Sequence, residues 1–311
     1  MDDLDLLAIG DCSIDLYMKI DKHFVFAESD TKVCFVHGSK VPVESFHSSS
    51  AGNACHVAIG CSKLGLKTAV YTELGDDENA AKILTDFKEH GVTTDFCIKN
   101  SNTPTNVHSV IVYGSDRTIF SYHEPRNYKL QKWPIPKWVY YSSLAKGFTP
   151  FQNDLVTYIN KNPSIGVAFN PGTLQLREGL EALKNILAVT DVLFLNKDEA
   201  EMLLDAKFSN AGEAHEKLAA LGPKITVITD GANGAGVFDG NQFLASKPVN
   251  APQKIVDRTG AGDAFASGFL AALFYKKPLQ TALLWGMKNS ESKLGHIGGI
   301  NGLLTLQTIQ N

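Results

Sequence analysis

Short, nearly unbroken apolar runs recur along this chain. Between them lie stretches whose apolar residues return every three or four positions. LDLLAIG (4–10), KTAVYT (67–72), KWVYYSS (137–143), IGVAFN (165–170), DVLFLN (191–196) and KITVITD (224–230) predict strands buried on both faces. NACHVAIGCSKLG (53–65), ENAAKILTDFKEHG (78–91) and REGLEALKNILAVT (177–190) predict amphipathic helices. Buried strands alternating with helices predict an α/β fold with a mainly parallel sheet covered on both faces. Two stretches break the rhythm. IDLYMKI (14–20) alternates, with Ile14, Leu16, Met18 and Ile20 on one face and Asp15, Tyr17 and Lys19 on the other. VHSVIVY, GSD and RTIFSYH (107–123) read as a hairpin. Such half-buried strands do not belong in a helix-covered core. They predict a small separate sheet facing a cleft, with exposed edges that a homodimer would cover.

The chain has 311 residues, no internal repeat and no linker-like shift in composition, so one domain over 1–311 is expected. A formal net charge of -4 excludes binding of nucleic acid by bulk charge. An anionic ligand would instead need local cations or helix N-termini. The five scattered cysteines form no CxxC pair and read as reduced thiols. The acidic N-terminus carries an apolar run too short for a signal peptide or a membrane span, which makes the cytoplasm the expected location, with no membrane partner.

DRTGAGDAF (257–265) carries the strongest chemical hint. Gly260 and Gly262 permit close backbone approach, and a buried helix is expected from about Gly262 to Lys277. The free N–H groups at its start would hold an anion. Asp263 beside such an anion is unexpected for a plain cap. It suits a base that orients or deprotonates a hydroxyl attacking a phosphate. An acidic first helical turn is the other reading.

With DRTGAGDAFASGFLAAL, the chain resembles the ribokinase-like (PfkB) carbohydrate kinases, whose signature core is D-x-T-G-A-G-D. Further landmarks follow in family order: GDCSIDL (10–16), SAGNACHVAIGCSKLG (50–65), LGDDENAAKIL (74–84), LFLNKDEAEMLL (193–204) and ITDGANGAGVF (228–238). The resemblance implies the ribokinase-like fold, with lid strands from about 14–48 and 104–124. It also implies an ATP- and Mg²⁺-dependent kinase for a hydroxymethyl group of a sugar or sugar derivative. Asp263 would be the catalytic base and Gly260, Ala261 and Gly262 its anion hole.

By the same resemblance, Asn196, Glu199, Thr229, Gly231, Gly234 and Asn289 contact the nucleotide, with Glu199 reaching Mg²⁺ through water. Without it, Asn196 and Glu199 also read as a helix capping box, and the glycines of 231–236 as a β-turn. That G-x-x-G-x-G run has reversed spacing for a dinucleotide site, and no P-loop motif is present. The sugar would meet Ser13, Asp15, Gly52, Asn53 and His56. Asp257 and Thr259 match positions near a monovalent cation, often K⁺. Arg117 would form an ion pair in the lid or reach the substrate.

Two departures touch the sugar side: Ala51 stands for the first glycine of the usual pair, and His56 for the usual asparagine. The histidine reads either as a satisfied core residue or as an altered sugar contact favouring an acidic or unusual substrate. A nucleoside kinase is the alternative function, with Phe35, Tyr113 and Phe151 as aromatics available for a base. A silent ligand-binding relative is a third.

Overall fold

The computed structural model describes the chain except residues 1–3, 26, 30, 31, 115, 209, 249–251, 253 and 254. Nine strands form the main sheet: β1 (Leu6–Ile9), β6 (Thr68–Gly75), β7 (Cys97–Asn100), β10 (Trp138–Tyr141), β11 (Gly166–Phe169), β12 (Val192–Asn196), β13 (Ile225–Thr229), β14 (Ala235–Phe238) and β15 (Phe243–Ser246). Their order is β15-β14-β13-β12-β11-β10-β1-β6-β7. From β7 through β13 neighbours run parallel, and the β14–β15 hairpin closes one edge antiparallel. This is the helix-covered parallel sheet that the continuous apolar runs predict.

The pleat explains why those runs do not alternate with polar residues. Along β1, Leu6 and Ala8 enter one hydrophobic cluster while Leu7 and Ile9 enter another. The first cluster is covered by α1 (Asn53–Lys63), α2 (Glu78–Glu89), α8 (Ala261–Phe274), α9 (Leu279–Leu294) and α10 (Leu306–Gln310). The second is covered by α3 (Thr149–Lys161), α4 (Thr173–Arg177), α5 (Leu180–Leu187), α6 (Lys197–Leu204) and α7 (Ala211–Ala219). The stretch predicted as one helix over 177–190 is instead split, because Gly179 takes φ +80° between α4 and α5.

A separate four-stranded sheet has the order β5-β2-β8-β9, from β2 (Ser13–Ile20), β5 (Val43–Ala51), β8 (Asn106–Tyr113) and β9 (Asp116–Tyr122). The 107–123 hairpin forms as expected, with β9 antiparallel to β8. β3 (Ala27–Ser29) and β4 (Lys32–Cys34) make a small antiparallel pair. In β2 the simple one-sided pattern fails at its start, since Ser13, Asp15 and Tyr17 are buried together with Ile14. Polar residues buried in that way need partners, and they have them.

Helices α1 and α8 meet at close range. A Cβ added at Gly60 would lie 2.4 Å from the Ser267 hydroxyl oxygen and 2.7 Å from its Cβ. Gly60→Ala must therefore push the two helices apart, and overpacking of this kind costs about 1–3 kcal/mol. Urea denaturation should show that loss, whereas an unchanged midpoint would mean the helices part freely.

Candidate active site

The parallel strands end on one side, and the predicted residues collect there. Asp11 follows β1, Asn170 follows β11, Asn196 ends β12 and Thr229 ends β13. Asn196 and Thr229 are register partners on adjacent strands. In open parallel sheets, ligands bind beyond the carboxyl ends of the strands.

α8 begins at Ala261, one residue before the expected start, with Gly260 as N-cap at φ +76°. That left-handed backbone suits glycine, and a Cβ there would sit 2.7 Å from the Gly299 Cα. A Cβ on Gly262 would meet nothing within 4 Å, so the first turn faces open space at that point. The Ala261 amide already donates to the Arg258 carbonyl at 3.2 Å. The expected three-amide anion hole is thus reduced at its middle member.

Asp263 is 8% exposed. Its Oδ2 accepts a 2.7 Å hydrogen bond from Nδ1 of His56, which lies on α1 and is 3% exposed. An ionised carboxylate can only accept, so Nδ1 carries the proton. Burial opposes protonation of the imidazole. The hydrogen bond and charge of Asp263, aided by Asp15 and the Ser50 carbonyl, outweigh it and hold the His56 pKa above its ordinary 6.5. A Cβ on Gly299 would fall 2.1 Å from His56 Nε2, so the ring is boxed in on its far side. The structure places His56 as the expected buried, hydrogen-bonded core histidine and adds what the sequence did not show, that its partner is the candidate base.

The residues expected on the sugar side form a second cluster. Asp15 lies on the face of 14–20 that reads as polar, yet it is 3% exposed. Its Oδ1 accepts from His108 Nδ1 at 2.9 Å and its Oδ2 from the Tyr17 hydroxyl at 3.3 Å. Ser13 Oγ lies 3.4 Å from the same His108 nitrogen. Gly52 has φ +104°, and a Cβ there would sit 2.3 Å from the Asp11 carbonyl, so only glycine fits. Asn53 donates to Asn170 Oδ1 at 3.0 Å, which Tyr140 also reaches at 3.1 Å.

On the nucleotide side, Asn196 and Glu199 do form a capping box, each side chain accepting from the other's backbone N–H at 2.8 Å. Burial raises the Glu199 pKa; the Asn196 N–H pulls it back, and the nearby Asp263 charge adds to the rise. Two carboxylates thus bear on one region. Thr229 leads into a 3-10 turn at Gly231–Asn233, and Gly231 at φ +52° faces open space. Gly234 lies close against the Ser246 carbonyl in the hairpin. Among the described residues no group of three or more His, Cys, Asp or Glu side chains could hold a metal ion. The oxygen set of Glu199 and Asp263 fits Mg²⁺ only as an ion held largely by water and phosphate.

Asn289 is a correction. It is fully buried, donating to the Ala264 carbonyl at 2.8 Å and to Ser267 Oγ at 3.0 Å, and accepting from the Leu304 N–H at 2.8 Å. Its amide ties α9 to α8 and has no face left for a base. Phe151 is likewise core, stacked on Tyr71 at 5.2 Å. Phe35 is exposed and Tyr113 half-buried.

Three participants escaped the sequence reading. His108 and Asn170 carry weak signals: one lies on a strand thought to face a cleft, and the other precedes Pro-Gly at a strand end. Asp11 carries none. It accepts from the Tyr128 hydroxyl at 2.7 and 2.9 Å, and its burial raises its pKa to about 7. Arg117, with Lys19, His47 and Arg258, lines a 330 Å³ cavity between the small sheet and residues 255–258.

Phosphoryl transfer demands positioning and charge stabilisation more than covalent chemistry, which agrees with what gathers at these strand ends. The chain belongs to the pfkB family of carbohydrate kinases, whose model matches residues 3–306. It is similar to an uncharacterized sugar kinase of Archaeoglobus fulgidus, at 28% identity over 71% of this chain and 89% of that protein. A cytidine kinase of Thermococcus kodakarensis is also 28% identical, over 94% of this chain and 96% of its own length. In fold the chain is similar to the ribokinase of Arabidopsis thaliana solved with ribose and ATP, with TM-score 0.81, 18% identity and coverage of 99% and 98%. The chain is an ATP-dependent kinase of the carbohydrate or nucleoside class. Among the described residues, no helix is long and apolar enough to cross a membrane.

The raised His56 pKa gives a signed prediction. A group that binds its proton more tightly when folded stabilises the fold fully below its unfolded pKa, near 6.5, and loses that effect as pH rises through the folded value. The thermal midpoint of the wild type minus that of His56→Asn should therefore be largest in mildly acid buffer and shrink toward pH 9. A difference that grows with pH would contradict the ion pair.

Proposed function

We propose that this chain transfers the γ-phosphate of ATP to a hydroxymethyl group of a sugar or sugar derivative, with Asp263 as general base. The observation that carries the reading is the position of Asp263. It stands on the first turn of α8, beside the open space at Gly262, with its second oxygen fixed by His56.

In this reading the γ-phosphate rests on the Gly260 and Gly262 amides and the positive end of α8. Thr229, Gly231 and Gly234 form the turn under the other phosphates. Mg²⁺, when bound, would offset phosphate charge; Glu199 would hold one of its waters, and Asn196 would fix Glu199. Asp263 keeps the attacking hydroxyl aligned and takes its proton as the bond to phosphorus forms. An ordinary carboxylate is adequate for that task in a loose transition state. His56 acts through Asp263, fixing which oxygen faces the substrate. Asp15, held by His108 and Tyr17, would accept hydrogen bonds from substrate hydroxyls, with Ser13, Gly52 and Asn53 around it. The small sheet would serve as a lid that excludes water. The cytoplasm, where ATP and reduced thiols coexist, is the setting we propose, and the edges of the small sheet are where a homodimer would pair.

The cytidine kinase relative keeps a nucleoside acceptor as the second reading. Incubation with ATP, Mg²⁺ and a panel of sugars and nucleosides, followed by ADP release, tests both. Turnover with some member is expected, and ligand binding without turnover would favour a silent binder.

Asp263→Asn should lower turnover by on the order of 10²-fold or more while ATP binding is nearly kept. Unchanged turnover would remove Asp263 as the base. Gly262→Ala separates site from fold, because the added methyl meets no protein atom. It should leave the thermal midpoint equal or higher, since alanine favours a helix by about 1 kcal/mol over glycine. Turnover should fall about 10-fold or more as the methyl enters the space assigned to phosphate. A fully active Gly262→Ala enzyme would move the phosphate elsewhere.

A further inference from the structure

Lys293 is a fully buried lysine near the end of α9. Such burial is rare for lysine and needs compensation. Its ammonium donates to the Asp257 carbonyl oxygen at 2.7 Å and to the His296 carbonyl oxygen at 3.1 Å. The Asp257 carboxylate lies 3.6 Å away. Three N–H donors thus face three oxygens, all of them from backbone or acid groups.

Asp257 is one of the two residues that the family resemblance sets beside a monovalent cation. That expectation does not fit here. The oxygens at 2.7 and 3.1 Å from the ammonium nitrogen are already engaged, and a K⁺ on the same oxygens would lie beside that ammonium. Two like charges that close repel strongly in a protein-like dielectric. We infer that Lys293 is a covalently tethered replacement for the cation, so that this kinase neither binds nor needs K⁺ at Asp257 and Thr259.

The consequence for the site follows from the contacts. Asp257 also accepts from the Thr259 N–H at 2.8 Å and the Gly298 N–H at 2.9 Å, so the ammonium fixes the segment leading into α8 and the 296–299 loop together. Gly299 of that loop lies against both Gly260 and the His56 ring. Lys293 is therefore a positioning residue for the start of α8 and, through His56, for Asp263.

Thermal midpoints test the inference without turnover, which keeps it apart from the proposed function. Wild type should melt alike in KCl, NH₄Cl and choline chloride at matched ionic strength. Lys293→Ala, which empties the space, should melt lower in choline and recover by about 2–5 °C in KCl or NH₄Cl, as a ligand that binds only the folded state requires. Should that variant fail to fold in choline, its refolding yield in KCl against choline reads the same effect. In turnover, wild type should be indifferent to K⁺. Lys293→Ala should lose on the order of 10- to 100-fold, chiefly in kcat, with partial return on adding NH₄⁺. A wild-type midpoint raised by K⁺ would overturn the inference. So would a Lys293→Ala protein indifferent to both small cations, since Lys293 would then be an ordinary buried ion pair.

Discussion

A carboxylate buried at the start of a helix is costly unless something holds its charge, and the 2.7 Å bond from His56 to Asp263 does so. Everything around the site depends on that contact, because it fixes α1 to α8 across the core at the point where both begin. Gly52 and Gly260 put the two helix starts where the bond can form, each by adopting a backbone that a side chain would not tolerate. Gly299 leaves the far side of the ring just enough room. One charged pair thereby couples three chain segments that are distant in sequence.

The parallel sheet supplies the rest by topology. The parallel strands of the main sheet end on the same side, so groups that never approach one another in sequence become neighbours. The helices on one face supply the start of α8 with Asp263, and α6 on the other supplies Glu199. The small sheet adds what a parallel core cannot. Its strand β2 has both faces occupied near its start, so it can carry a buried acid, Asp15, braced by a histidine from the adjacent strand β8. The two acid–histidine pairs have different supports. One is set by helix packing and the other by strand register, so the two pairs rest on separate parts of the fold.

Much of this was legible in the sequence, for identifiable reasons. Buried parallel strands leave continuous apolar runs, so all six expected core strands appear, at most a few residues adrift. Asp263 was legible because an acid among small residues at a helix start conflicts with the anion that such a turn invites. What was not legible is what side chains do across distance. His56 gave no sign that its partner lies 207 residues away. Asp11 and Tyr128 meet only because β1 and the 128–145 segment fold together. The helix break at Gly179 was missed because periodicity runs through it, while a single positive φ does not show in a pattern of apolar residues. Asn289 was misjudged for the opposite reason: family position argued for a ligand, yet the polar character of 288–293 serves to fasten α9 onto its neighbours.

The same polar stretch explains how charge is balanced around the start of α8. Burial pushes the Asp257 carboxyl up, but the Thr259 N–H, the Lys293 ammonium and the Gly298 N–H more than reverse it and hold it ionised. Burial also lowers the Lys293 pKa, and Asp257 opposes that fall. Each member therefore keeps the other charged in a place that would neutralise either alone. A free cation at such a position would have to give up its hydration and its translational freedom at every binding event. A lysine gives up its freedom once, when the chain folds, and cannot leave when substrate or product does.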